Sequence, residues 1–260
     1  MSTEALRAAV QVAEEQGLRF SRSVVLRESS NLVVHLEPLP VVARVANVTA
    51  RVRHGDAWLA REVAVAGFLA RAGAPVVAPT SDPPPGPHLR DGLAVSFAEY
   101  AEPVDEPLDA REAGRRLREC HEALAGYDGE LPAMGLMDEA ASILEGFAGG
   151  DAERLLREGA EVRRRIDALS LPMQAVHGDA DLSNVINTAA GPLWNDWEDA
   201  MLAPTAWDLA CLHAESLVYG EDPAPVAAAQ AGYGEALDAE VLEAFVAARR
   251  WQVAAWDLLF

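Results

Sequence analysis

Apolar residues along this chain keep two periods, and the change from one to the other divides it. Residues 4–17 carry Leu6, Val10 and Ala13 at helical spacing and end on Gly17. Ser23–Leu26 and Asn31–Leu36 then read as strands joined through Arg27–Ser30, and Pro38-Leu39-Pro40 turns the chain into a third strand, Val41–Ala46. Trp58–Ala72 predicts an amphipathic helix through Trp58, Leu59, Val63, Ala66 and Leu69, stopped by Gly73. The prolines of Ser81–Gly86 mark an extended loop, and Leu93–Tyr100 returns as a strand. Beyond the polar, proline-containing stretch Glu102–Pro107 the helical period dominates: Asp109–Leu124, two helices within Met137–Leu169 broken at Gly149-Gly150, Thr205–Val218, 224–237 and 239–258. The pattern predicts an α+β chain with a small antiparallel sheet in residues 1–101 and a mostly helical part in 102–260.

Composition narrows the partners. The 260 residues include 41 acidic and 21 basic side chains, a net charge of −20, and every basic one is arginine. Such a field disfavours nucleic acid and anionic membranes and would attract a cationic ligand; a compositional habit of solubility explains it as well. No apolar run is long enough to span a bilayer, and Met1–Ala5 lacks the basic and apolar regions of a signal peptide. Cys120 and Cys211 sit in apolar helical patterns without metal-ligand spacing, so a reduced, cytoplasmic setting is expected.

One stretch concentrates the chemistry. Short apolar pairs, Ala175-Val176, Val185-Ile186 and Leu193-Trp194, enclose Asp179, Asn184 and Asp196. A hairpin around Gly191-Pro192 would bring Asn184 and Asp196 to adjacent strand ends. An acid, an amide and a second acid in one volume suit phosphoryl transfer: one carboxylate orients a hydroxyl, and the other oxygens ligate Mg²⁺. His177-Gly178-Asp179 with Asn184, then Asn195-Asp196-Trp197-Glu198 and Trp207-Asp208-Leu209-Ala210, resembles the aminoglycoside phosphotransferase family of kinase-like enzymes. The tripeptide alone is weak, since His54-Gly55-Asp56 repeats it with Arg61 in place of the asparagine, and that copy reads as a polar loop before a helix.

The resemblance implies a two-lobed protein-kinase-like fold that places ATP or GTP with Mg²⁺ in the cleft. It makes Asp179 the catalytic acid, Asn184 and Asp196 the metal ligands, and Asp208 a brace for the catalytic loop. Arg44 stands where kinases carry a phosphate-holding lysine, with Glu62 as its carboxylate partner. Ser29, Ser30 and Asn31 would cover the phosphates, although no glycine lies between Gly17 and Gly55 and the stretch also reads as a plain hairpin turn. Backbone groups around Phe97, Glu99 and Tyr100 would meet adenine. Asp181 replaces a histidine common in the family; with Glu198 and Asp199 it is a candidate for receiving a substrate amine. The implied activity is O-phosphorylation of a small molecule, such as an aminoglycoside or other antibiotic, a choline-like alcohol or a sugar. A nucleotide-binding module without catalysis, or a metal-dependent hydrolase built on Asp179, Asp181 and Asp196, are the alternatives.

Overall fold

The fold begins on a stripe of alanines. α1 (Thr3–Glu15) buries Ala5, Ala8, Ala9, Val12 and Ala13, the i, i+3, i+4, i+7, i+8 series of one helix face. Small side chains let it lie against the sheet, so the buried face is set by alanines, with the larger Leu6 at its edge. The computed structural model describes residues 3–46, 53, 55–220 and 222–258. His54 of the second His-Gly-Asp and Glu221 of the loop before the penultimate helix lie outside the described residues.

After α1 come β1 (Arg22–Glu28), β2 (Asn31–Glu37), β3 (Val41–Ala46), α2 (Ala57–Arg71), β4 (His88–Arg90) and β5 (Leu93–Glu99). The strands form one antiparallel sheet in the order β1-β2-β3-β5-β4. Ser29 and Ser30 are the two-residue turn between β1 and β2. The sheet face under α1 presents Leu32, Val34, Leu36, Val41, Ala43, Val45, Val95 and Phe97. Truncating one of its large members, Phe97, would cost about 3–5 kcal/mol. β4 is too short to show a period; it folds back on β5 through Asp91 and Gly92, both at positive φ (50° and 80°).

The rest of the chain adds α3 (Ala110–Leu124), α4 (Gly135–Glu145), α5 (Gly150–Ala168), β6 (Gln174–Val176), β7 (Val185–Thr188), β8 (Gly191–Trp194), β9 (Met201–Ala203), α6 (Ala206–Tyr219), α7 (Pro223–Tyr233) and α8 (Ala239–Asp257). Asp109 caps α3 by accepting the Glu112 N–H at 3.0 Å. α3 packs on α7 so closely that a Cβ on Gly114 would run into the Ala229 carbonyl. α8 packs on α4, α5 and α6. β6 pairs antiparallel with β9, and β7 with β8 across a turn at Ala189-Ala190. Contacts divide the chain into two compact units, Met1–Asp105 with Thr188–Ala190, and Glu106–Asn187 with Gly191–Phe260.

Cys120 and Cys211 are buried free thiols, and burial pushes both up from the usual thiol range. Among the described residues no helix is long and apolar enough to cross a membrane.

Candidate active site

The loop after β6 is held mainly through its backbone. Asp208, in the first turn of α6, accepts the His177 N–H on Oδ2 at 2.7 Å and the Gly178 N–H on Oδ1 at 2.9 Å. Its side chain is fully buried, which works against charge; His121, donating Nε2–H at 2.8 Å, and the loop amide of His177 hold the carboxyl below the usual aspartate range. His121 continues through Nδ1 to the Tyr233 hydroxyl at 2.9 Å. Burial pushes that hydroxyl up to about 12, so it stays protonated. The Gly178 carbonyl accepts the Trp207 Nε1–H at 2.8 Å. Gly178 itself has φ +87°, and a Cβ there would meet the Asp199 carbonyl. Glycine is therefore required at this point.

Two further contacts join this loop to the strand that follows it. His177 donates Nε2–H to the Asn195 carbonyl at 2.9 Å and accepts the Asp179 N–H on Nδ1 at 3.2 Å, which assigns its tautomer. The ring lies against Trp194 and Trp197. Asn195 N–H donates to the Asn184 carbonyl at 3.0 Å, so the residues preceding Asp196 are tied to both ends of the loop. Asp196 has left-handed backbone angles, φ 69° and ψ 59°, a conformation that costs a residue with a Cβ about 1–2 kcal/mol and is best tolerated by Asn and Asp.

Asn184 spends its amide on the acid. Nδ2 donates to the Asp179 carbonyl at 2.9 Å and to Asp179 Oδ2 at 3.0 Å. That fixes the side chain and turns Oδ1 away from these two contacts as an acceptor. Asn184 Oδ1 and the Asp196 carboxylate are hard oxygen donors and fit Mg²⁺, which is commonly held by one or two protein oxygens with substrate phosphates completing its shell. Among the described residues no group of three or more His, Cys, Asp or Glu side chains is placed to hold a metal ion.

Sequence reasoning missed Arg249. This side chain of α8 forms an ion pair with Asp179 through Nη2 and Oδ1. Burial works against its charge, but Asp179, Cys211, Asp199 and Asp181 together hold the guanidinium above the usual arginine range. Its signal was present: Arg249 stands four residues after Phe245 and three before Gln252, on the buried face of the helix.

The acidic trio expected at the substrate divides. Asp181 Oδ1 caps the turn after it by accepting the Ser183 N–H at 2.7 Å. It also lines a cavity of about 470 Å³ with Leu108, Leu182, Ser183, Leu212 and Asp222. Asp199 is half-buried. Glu198 is buried, only 5% exposed.

In the first unit, Arg44 lies in β3 between Val33 of β2 and Ser96 of β5. Nη1 donates to Glu62 Oε1, from α2, at 3.0 Å. Ser29 and Ser30 are exposed, whereas Asn31 is buried. The N–H groups of Phe97, Glu99 and Tyr100 already donate to Pro85, Ala78 and Pro40 at 2.8, 2.9 and 3.0 Å. Tyr100 also stacks on His35 with ring centroids 3.8 Å apart. Proline-rich segments flanking β5 consume those donors.

An antiparallel five-stranded sheet, a helical second unit and a clamped His-Gly-Asp loop define a kinase-like phosphotransferase fold. Residues 22–245 match the profile of the phosphotransferase enzyme family, and the chain belongs to that family. Its fold is shared by amicoumacin kinase hAmiN, solved in complex with AMP-PNP, Ca²⁺ and Ami, at 16% identity, covering 98% of this chain and 88% of that one (TM-score 0.76). Choline kinase LicA from Streptococcus pneumoniae is similar at 16% identity over 96% and 89% (TM-score 0.69). Aminoglycoside phosphotransferase APH(3'')-Id from Streptomyces rimosus, in complex with ADP and streptomycin, is similar at 17% identity over 94% and 97% (TM-score 0.67). No curated protein sequence matches the chain at a significant level.

Proposed function

We propose that this enzyme transfers the terminal phosphoryl group of ATP or GTP to a hydroxyl of a small molecule, with cationic or hydroxyl-rich acceptors such as aminoglycosides and choline-like alcohols preferred. The observation that carries this reading is Asp179, held at its carbonyl and at Oδ2 by Asn184 in a loop whose backbone is pinned by Asp208. Catalysis of this kind is mainly positioning and electrostatics, and a rigid carboxylate is what it needs. In the proposed step the acceptor oxygen bonds to the terminal phosphorus as the bond to the bridging oxygen breaks. The hydroxyl proton passes to Asp179, and the nucleoside diphosphate leaves.

Asn184 Oδ1 and the Asp196 carboxylate would hold Mg²⁺, which when bound offsets the charge of the nucleotide phosphates. In the first unit, Arg44, aligned by Glu62, and Ser29, Ser30 and Asn31 are the proposed phosphate-binding residues. The cavity beside Asp181 supports an acceptor with both an amine and an apolar body, since Asp181 and Asp222 share its lining with Leu182, Leu212 and Val226. The net charge of −20 supports a cationic acceptor and argues against nucleic acid as a partner.

The test is nucleotide consumption scanned over alcohols and antibiotics, with product phosphorylation read by mass spectrometry. Acceptor-dependent turnover that disappears in Asp179→Asn is expected; hydrolysis alone, unchanged by every acceptor, overturns the reading. A nucleotide-binding module without turnover is the second reading, favoured by Arg44 in place of a lysine and by the absence of glycine between Gly17 and Gly55. It requires Mg-dependent nucleotide binding, lost in Asp196→Asn by calorimetry, with no acceptor turnover at all.

A further inference from the structure

We propose that Arg249 is the positioning residue of Asp179: a cation built into α8 that fixes the carboxylate for the incoming hydroxyl. This rests on the phosphotransferase reading above. A carboxylate offers about four acceptor positions on its two oxygens. Here one position on each oxygen is taken, Oδ2 by Asn184 Nδ2 at 3.0 Å and Oδ1 by Arg249 Nη2. Two donors approaching different oxygens fix both the plane and the rotamer, while the remaining positions stay open for a hydroxyl proton. Asn184 alone would leave the carboxylate hinged on one contact.

The guanidinium is itself held. Nη1 donates to Gln252 Oε1 at 2.7 Å, and Gln252 is a buried polar residue three positions on in the same helix. Packing supports the base of this arm: Phe245, Ala248, Trp251 and Ala255 bury around it, and Trp251 Nε1–H donates to the Leu155 carbonyl of α5 at 2.7 Å. Stability alone does not account for an arginine here. Its Nε–H is buried without a hydrogen-bond partner, a loss that an aliphatic side chain on the same face would not incur. The charge pairs with Asp179, so the loop carries its own counter-ion before any ligand arrives.

The experiment compares Arg249→Met and Arg249→Lys with Arg250→Met, a control at the exposed neighbouring position. The side-chain amide resonance of Asn184 reports its contact with Asp179 without requiring turnover. It is expected to shift in Arg249→Met and to remain in place in Arg250→Met. With an acceptor that the wild type phosphorylates, kcat of Arg249→Met should fall about 100-fold, the scale of a small misplacement of a reacting group. Nucleotide Kd should be unchanged, Arg249→Lys should recover part of the loss, and added methylguanidinium should raise kcat of Arg249→Ala. An unmoved Asn184 resonance overturns the proposal, as does wild-type kcat in both Arg249 variants. If the wild type phosphorylates no acceptor, the function fails, while the resonance still decides whether Arg249 holds Asp179.

Discussion

Two arginines, one in each unit, meet carboxylates from distant parts of the sequence, and they differ in what surrounds the acid. Arg44 and Glu62 are almost equally enclosed, with side chains 10% and 12% exposed. Arg249 is as deep, at 12%, but Asp179 keeps 28% of its surface. The first is a closed pair whose acid serves its arginine. In the second the arginine serves an acid that remains open to a reactant. Similar chemistry therefore yields a closed pair in one unit and an accessible acid in the other, as the proposed roles of Glu62 and Asp179 require, and exposure of the carboxylate separates them.

The sharpest way to break this contrast is to neutralise each acid. Asp179→Asn should lower kcat by about 10²–10⁴-fold, the range of a lost general base, with nucleotide Kd unaltered by calorimetry. Glu62→Gln should leave far more turnover; equal losses in the two variants would erase the distinction. Removing the brace beneath Asp179 comes next. Asp208→Ala strands two backbone N–H groups and His121 and should cost about 3–5 kcal/mol in urea unfolding. Because the folded Asp208 carboxyl lies below its ordinary 3.8, its contribution is complete above that value and declines as pH falls through the lower folded one. Unfolding titrations should therefore show the variant losing its disadvantage only in acid.

Arg44→Met should act more gently, weakening nucleotide binding about tenfold, the scale of one hydrogen bond to a charged group. Its kcat should fall less than that of Arg249→Met. The smallest effect belongs to the exposed helix pairs, which no carboxylate chemistry uses. Glu119→Ala removes a partner of Arg115 on the solvent side of α3 and should leave Tm unchanged in moderate salt.

Much of this was legible in the sequence because it depends on local order. Asp179, Asn184 and Asp196 lie within one short stretch, and the strand and helix carrying Arg44 and Glu62 announce themselves by period. Asp208 could be read as a brace through the family resemblance of Trp207-Asp208-Leu209-Ala210, and it accepts the His177 and Gly178 N–H groups. What escaped reading depends on distance or brevity. Arg249 meets Asp179 across 70 residues, and its clue was a charge on the buried face of a helix. β4 and β9 have three residues each, below the length at which alternation shows. For β4 a turn signal existed, Asp91-Gly92 between apolar residues. The stripe of α1 was placed through Leu6, Val10 and Ala13, of which Ala13 is buried; close packing selected the alanines over the two larger residues. The N–H groups of Phe97, Glu99 and Tyr100 donate to Pro85, Ala78 and Pro40, loop partners that no periodicity predicts.

The left-handed turn at Asp196 carries a practical consequence for anyone probing the cation. Replacing this residue by alanine alters two things together, because a methyl side chain resists that backbone shape while also lacking an oxygen. Asparagine accepts the same dihedral angles and removes only the negative charge. A comparison of the two substitutions therefore separates the role of the charge from that of the chain path.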